Sequence, residues 1–296
     1  MDIRRALVFL ACTALAAPAL AQQPSGTLDR IKQTGTISLG HRESSIPFSY
    51  YDDKQQVVGY SHDFQMRVVD AVKKKLNLPN LQVKYTPVTS QNRIPLVQNG
   101  TIDIECGSTT NNLERQKQVD FTTTLFVVGT RLLTKKNSGI KDFPDLKGKN
   151  VVTTAGTTSE KLIRAMNDEK KMGMNIISAK DHGESFLTLE SGRAVAFMMD
   201  DALLAGERAK ARKQGDWVIA GTPQSKEAYG CMLRKDDAEF KKLADEVIAA
   251  ALKSDGEKEF KKWFQSPIPP KGVNLNLPLT DDMKELFKNP NDKAFQ

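Results

Sequence analysis

The run Thr101-Ile-Asp-Ile-Glu105, continued by Cys106-Gly-Ser-Thr-Thr-Asn-Asn-Leu-Glu-Arg115 and Gln116-Lys-Gln-Val-Asp-Phe121, decides how the chain is read. Apolar and polar residues alternate up to Glu105, as on a half-buried strand. A glycine and three hydroxyl residues end the alternation, and the chain turns helix-like with an arginine one turn in. Such a corner presents hydroxyls, backbone N–H groups and a guanidinium together. It suits a carboxylate, because the guanidinium fork matches two oxygens and a helix N-terminus adds positive potential. A solvated Arg115 beside a plain N-cap at Ser108 to Thr110 fits the same residues, so the rest of the chain has to decide.

Working outward, similar corners recur. Thr36-Ile-Ser-Leu-Gly40 alternates as a strand and ends in a polar loop that carries Arg42. Leu81-Gln-Val-Lys-Tyr85 reads as a second strand, and beyond it Ser90 and Arg93 flank the start of a short helix closed at Gly100. In open α/β folds, ligands bind beyond the carboxyl ends of strands. Three arginine-bearing corners, at 42, 90–93 and 108–115, are harder to dismiss than one. Between the first two, a helix opening at Gly59-Tyr-Ser-His-Asp carries Phe64, Val68, Val72 and Leu76 as a core-facing stripe, with His62 expected as a surface or capping residue.

Leu125-Phe-Val-Val-Gly-Thr-Arg-Leu-Leu-Thr134 is strand-like but too long for a small lobe, and it suits a segment that crosses to another. After a turn-rich link at 142–149 the strand–helix alternation restarts. Val151-Val-Thr-Thr154 leads through Gly156-Thr-Thr-Ser159 into a helix. Thr157 with Glu160 fits a capping box, and the same turn fits an anion nest. The spacing of a phosphate loop is absent. Asn175-Ile-Ile-Ser-Ala179 is a further strand, and the apolar run Ala194–Met199 reads as a buried parallel strand that ends at Asp200-Asp201. Asp200 there either caps the next helix or accepts from an ammonium. Two more strands follow, at 216–220 and 228–234. The chain closes with a long amphipathic helix, an aromatic segment at Trp263 and Phe264, a Pro-rich turn and a short helix around Met283. Two successive strand–helix units joined by long strands imply an α/β protein of two lobes around one cleft.

Arg4 and Arg5, an apolar run from Ala6 to Ala17 and the small residues Ala19-Leu-Ala21 read as a secretory signal over residues 1–21. The apolar run is shorter than the roughly 20 residues that span a bilayer. Removing the leader takes away two arginines and one aspartate, which lowers the net charge from +7 to +6. The lysines lie along helices without interleaved aromatics, a pattern of solvated faces rather than of nucleic-acid binding. Three scattered histidines and the two cysteines beyond the leader show no metal-ligand spacing, and no cofactor is expected. Cys106 and Cys231 fit either the disulfide of an exported protein or two buried thiols.

The chain resembles the periplasmic amino-acid-binding proteins of ABC transporters, solute-binding protein family 3, and within them the glutamate/aspartate-binding group. The stretches that carry the resemblance are Gly40-His-Arg-Glu-Ser-Ser, Ser90-Gln-Asn-Arg93, Glu105 through Lys117, Ala155-Gly-Thr-Thr-Ser, Ala179-Lys-Asp-His-Gly183 and Phe197-Met-Met-Asp-Asp201. The resemblance implies a two-lobed, type II periplasmic-binding-protein fold in which each lobe is a mixed sheet flanked by helices and two crossing segments form the hinge. It places one lobe at 22–127 and 227–296 and the other at 128–226. It implies that Arg115 clamps an α-carboxylate with Ser108, Thr110 and the Thr157-Thr158 turn, and that Asp200 accepts the α-ammonium. Arg42, Ser90, Arg93 and His182 would surround the side-chain carboxylate, with His182 either neutral or cationic. The charge count agrees: L-glutamate or L-aspartate brings two carboxylates and one ammonium, and three arginines with one aspartate avoid burying unpaired charge. The implied protein is a periplasmic monomer that hands its ligand to a membrane permease. Two other readings are a dehydratase-like enzyme on the same fold, against which no Gly-x-Ser-x-Gly elbow is found, and a soluble subunit of an amino-acid sensor.

Overall fold

The computed structural model describes residues 26–270 and 272–295, so the expected signal segment lies outside the described residues. Two five-stranded mixed sheets organise the chain. The first runs Gln82–Pro87, Thr36–His41, Ile104–Glu105, Met232–Arg234, Val119–Phe121. Its first three strands are parallel, and Met232–Arg234 is antiparallel to both neighbours. The second sheet runs Asn175–Ala179, Asn150–Thr154, Ala196–Asp200, Thr130–Lys135, Trp217–Ala220. It repeats the plan: three parallel strands, then Thr130–Lys135 antiparallel to both neighbours. Each sheet with its helices is one lobe.

The chain leaves the first lobe through Phe126–Val128 and returns through Glu227–Tyr229. These strands pair antiparallel, and Thr110–Asn111 lies on the other side of Glu227–Tyr229. Both long strands expected from the sequence are therefore broken. The run 125–134 divides at Gly129, and the run 228–234 divides at Gly230-Cys231. At each break the chain gives up one hydrogen-bonded neighbour for another, so a single ladder cannot continue.

An aromatic cluster backs the crossing strands. Phe126 stacks on Phe264 at 4.6 Å between centroids and on Phe260 at 5.9 Å, while Phe48 meets Tyr229 edge-on at 5.1 Å. Each such pair adds about 0.5–1.5 kcal/mol beyond area burial, so the hinge strands rest on a stiff floor. Phe260 and Phe264 come from one 27-residue helix, Ala238–Phe264, which absorbs the aromatic segment expected to follow it. That helix packs on Tyr60–Leu76, where Arg67 reaches Asp255 at 2.8 Å and Glu259 at 2.7 Å. His62 departs from its expected surface place. It is buried, with Nδ1 3.2 Å from Gln65 Oε1 and its ring 5.8 Å from that of Tyr85. The first turn of this helix is covered by the neighbouring strand's aromatic side chain, which the helical stripe alone does not reveal.

Cys106 and Cys231 form a disulfide, with Cα atoms 4.3 Å apart. The bond joins the ends of two adjacent strands in the first sheet and closes a loop containing the whole second sheet.

Candidate functional site

Each sheet delivers its strand ends to the space between the lobes. From the first lobe come Arg42, Ser90, Arg93, Ser108, Thr110 and Arg115, all buried. Thr157, His182 and Asp200 come from the second and are buried too, with Thr158 half-buried. The solvated Arg115 that the sequence left open does not occur. The cap of its helix is Asn112, whose Oδ1 accepts the Arg115 N–H at 2.9 Å, and Thr110–Asn111 is a strand.

Arg93 stands electrostatically between the other two guanidinium groups. Burial lowers the pKa of Arg42 to about 10, and the charge of Arg93 adds to the effect. Arg115 is likewise lowered to about 10, by burial first and then by Arg93. All three remain cations at neutral pH. Arg93 donates to the Ser108 carbonyl at 3.2 Å and to the Thr109 hydroxyl, and Arg115 donates to the Thr110 carbonyl at 2.9 Å. None of the three lies within 4.0 Å of a carboxylate oxygen among the described residues. Arg42 Nη1, Arg93 Nε and Ser90 Oγ are buried without a hydrogen-bond partner. A buried cation left this way is costly unless an anion completes it.

Two close approaches make this geometry possible. A Cβ at Gly107 would stand 2.4 Å from Glu105 Oε1 and 2.8 Å from Arg42 Cγ. One at Gly156, where φ is +76°, would stand 2.9 Å from the backbone of Gln91 in the opposite lobe. The lobes also meet where Arg115 donates to the Gly156 carbonyl at 3.4 Å, where Thr110 and Thr158 hydroxyls lie 3.5 Å apart, and where the Gly183 N–H reaches Ser44 Oγ at 3.4 Å.

The second lobe offers different chemistry. His182 Nδ1 is 2.9 Å from the Thr154 hydroxyl, while Nε2 is buried and unpartnered. Burial, then Arg42, Arg93 and Lys210, hold its pKa well below the ordinary imidazole value, so the ring is neutral at pH 7. Asp200 makes no side-chain cap to the helix it precedes. Instead it accepts from the Thr130 hydroxyl at 3.1 Å, the Ser159 hydroxyl at 3.3 Å and the Tyr229 hydroxyl. Burial and the neighbouring Glu227 raise its pKa to about 7. Of the adjacent threonines, Thr157 is spent on its own turn, donating to the Thr154 carbonyl at 2.6 Å and accepting from Glu160 N–H at 3.1 Å. Thr158 faces Thr110 and donates to Glu227 at 2.8 Å.

Four neighbours escaped the sequence reading: Glu105, Thr109, Glu227 and Tyr229. Glu105 accepts from Thr109 at 2.7 Å beside Arg42. Glu227 and Tyr229 sit two apart on a crossing strand and so share a face, a signal present in Glu227-Ala-Tyr229. A pair of buried polar side chains two residues apart near a lobe crossing would have found them.

The model of the bacterial extracellular solute-binding proteins, family 3, matches residues 37–266. A glutamate/aspartate import solute-binding protein of Salmonella typhimurium is 70% identical over 275 residues, covering 93% of this chain and 91% of that protein. An L-glutamate/L-aspartate-binding protein of Pseudomonas aeruginosa is 67% identical over 282 residues, covering 95% and 93%. Both are named as binding or import proteins rather than enzymes. Among solved structures, an ancestral arginine-binding protein bound to arginine superposes with a TM-score of 0.69 at 29% identity, covering 78% of this chain and 98% of that one. The chain belongs to the bacterial extracellular solute-binding proteins, family 3.

Proposed function

We propose that this protein binds L-glutamate or L-aspartate between its lobes and delivers it to the permease of an ABC transporter. The observation that carries this reading is the set of three buried arginines, Arg93 opposing both Arg42 and Arg115, with no carboxylate within 4.0 Å among the described residues, facing one aspartate whose pKa is raised to about 7. A dicarboxylic amino acid neutralises both anomalies at once. In this reading Arg115, with Ser108, holds the α-carboxylate, and Asp200 with the Thr110 and Thr158 hydroxyls takes the ammonium. Arg42, Ser90, Arg93 and the neutral His182 surround the distal carboxylate. The 67–70% identical relatives named for glutamate and aspartate support the ligand class.

The lobes are taken as residues 22–127 with 227–296, and residues 128–226, a division supported by the strand exchange at Gly129 and at Glu227–Tyr229. Ligand bridging the lobes draws them together, and exclusion of water strengthens the ionic contacts. The protein is proposed to work as a monomer in the periplasm, exported by its first 21 residues. Calorimetric titration with glutamate, aspartate, glutamine and succinate tests the reading. Glutamate and aspartate should bind roughly 100-fold more tightly than the other two, the scale of a lost buried charge partner. Equal binding of glutamine would remove the distal-carboxylate site, and no binding of any of the four would end the proposal.

A further inference from the structure

We infer that Glu227, on the returning hinge strand, is the residue that makes the site select an ammonium-bearing ligand. It does so by fixing which way the threonine hydroxyls of both lobes point. This inference rests on the proposed binding of an acidic amino acid. Glu227 is buried and belongs to neither strand-end corner. Its Oε2 accepts from the Thr110 hydroxyl of the first lobe and from the Thr158 hydroxyl of the second, the latter at 2.8 Å. Its Oε1 accepts from the Ser225 hydroxyl at 2.9 Å, and the Thr130 hydroxyl, which donates to Asp200, lies 3.3 Å from it.

A hydroxyl has one proton and two lone pairs. As a carboxylate, Glu227 can only accept, so Thr110 and Thr158 spend their single protons on it. Their oxygens then have only lone pairs left for a ligand. They can take hydrogen bonds from an ammonium and cannot give them to a carboxylate. Thr130 extends the arrangement, because its hydroxyl lies 3.1 Å from Asp200 Oδ1 and 3.3 Å from Glu227 Oε1. Asp200 and Glu227 thus form a carboxylate pair joined through one hydroxyl, and an ammonium placed at Asp200 meets the field of both. Glu227 is a positioning residue: it acts through the threonines and Asp200.

The alternative is a purely structural tie between the hinge and the lobes, and the two are separable. The substitution Glu227→Gln keeps the size and leaves an acceptor oxygen while removing the charge. Its binding of L-glutamate is compared with that of glutarate, the same dicarboxylate without the ammonium, by calorimetry on the mature chain between pH 5.5 and 8.5. The wild type should favour glutamate over glutarate. In the variant glutamate affinity should fall by about tenfold or more while glutarate affinity stays or rises, so the preference shrinks. The acid limb of the glutamate profile should also move to lower pH. The groups that face Asp200 are Glu227, Tyr229, Asp201, Arg93 and Arg115, and removing the Glu227 charge removes the largest of the repulsions raising its pKa. A melting curve confirms that the variant is folded. Should the variant not fold, Glu227→Asp, which keeps the charge and shortens the reach, must keep the glutamate preference for the inference to stand. Equal losses for glutamate and glutarate, or an unmoved acid limb, would reduce Glu227 to a structural tie. A wild type that ignores glutamate would remove the binding proposal itself and this inference with it.

Discussion

The two lobes meet the same cleft with opposite equipment. The first contributes all three buried arginines, each beyond a strand end. The second contributes one carboxylate, a neutral imidazole and a threonine hydroxyl. The difference teaches an order of events. In the proposed binding mode, the two carboxylates of a ligand find arginine partners on the first lobe, whereas the ammonium reaches Asp200 only when the second lobe arrives. In that binding mode closure is driven by the group that separates an amino acid from a plain diacid. A ligand can shift the open–closed equilibrium only through such differential contact.

The comparison breaks most readily at Arg115. In the proposed binding mode Arg115→Ala removes the first lobe's hold on the α-carboxylate, and it should weaken every amino acid about 1000-fold or more, since a buried charge partner is lost. Retained micromolar binding in a calorimeter would remove this residue from the site.

The pH dependence sharpens the comparison from the second lobe. Burial and Glu227 raise the pKa of Asp200 to about 7, whereas an ammonium partner favours its ionised form. Binding therefore releases a proton, and affinity should fall as pH drops below 7, by at most about tenfold per unit. The same shift makes the folded protein lose stability as pH rises from the ordinary carboxylate range to about 7, because the folded state holds the proton more tightly than the unfolded one. His182, held well below its ordinary value, adds no step near neutrality if it stays neutral on binding. Affinity that rises as pH falls would mean that His182 takes up a proton instead.

The smallest effect lies at the rim, where Lys161 of the second lobe pairs with Glu114 of the first at 2.6 Å. Both side chains are well exposed, so Lys161→Ala should weaken binding by about 0.2–1 kcal/mol, an effect that fades with added salt. A loss tenfold larger, read from salt-dependent titrations, would show that the rim rather than the cleft drives closure.

The strand-to-helix corners were legible because they depend on local pattern. Alternation to Glu105 closed by Gly107, and the apolar run to Met199 closed by Asp200-Asp201, locate the strand ends, and Arg115 stands out beside the first of them. The disulfide stayed open because pairing depends on Cα separation between residues 125 apart in sequence. Asp200 as cap or acceptor stays open in the sequence because the hydroxyls that hold it, from Thr130, Ser159 and Tyr229, come from separate elements. Glu227 was missed because its importance comes from four hydroxyls supplied by both lobes and by the hinge segments, none of which local spacing brings together. His62 was misplaced for a related reason, since the ring of Tyr85 covers it from another strand.

The distal arginines offer the most direct test. Arg42 has a buried, unpartnered Nη1, and Arg42→Ala can be titrated with glutamate and with glutamine, which differ only in the charge it would meet. Glutamate should lose about 30-fold or more, the range for a buried charge partner, while glutamine changes little. Equal losses for both ligands would contradict the assignment of the three arginines to a doubly anionic amino acid.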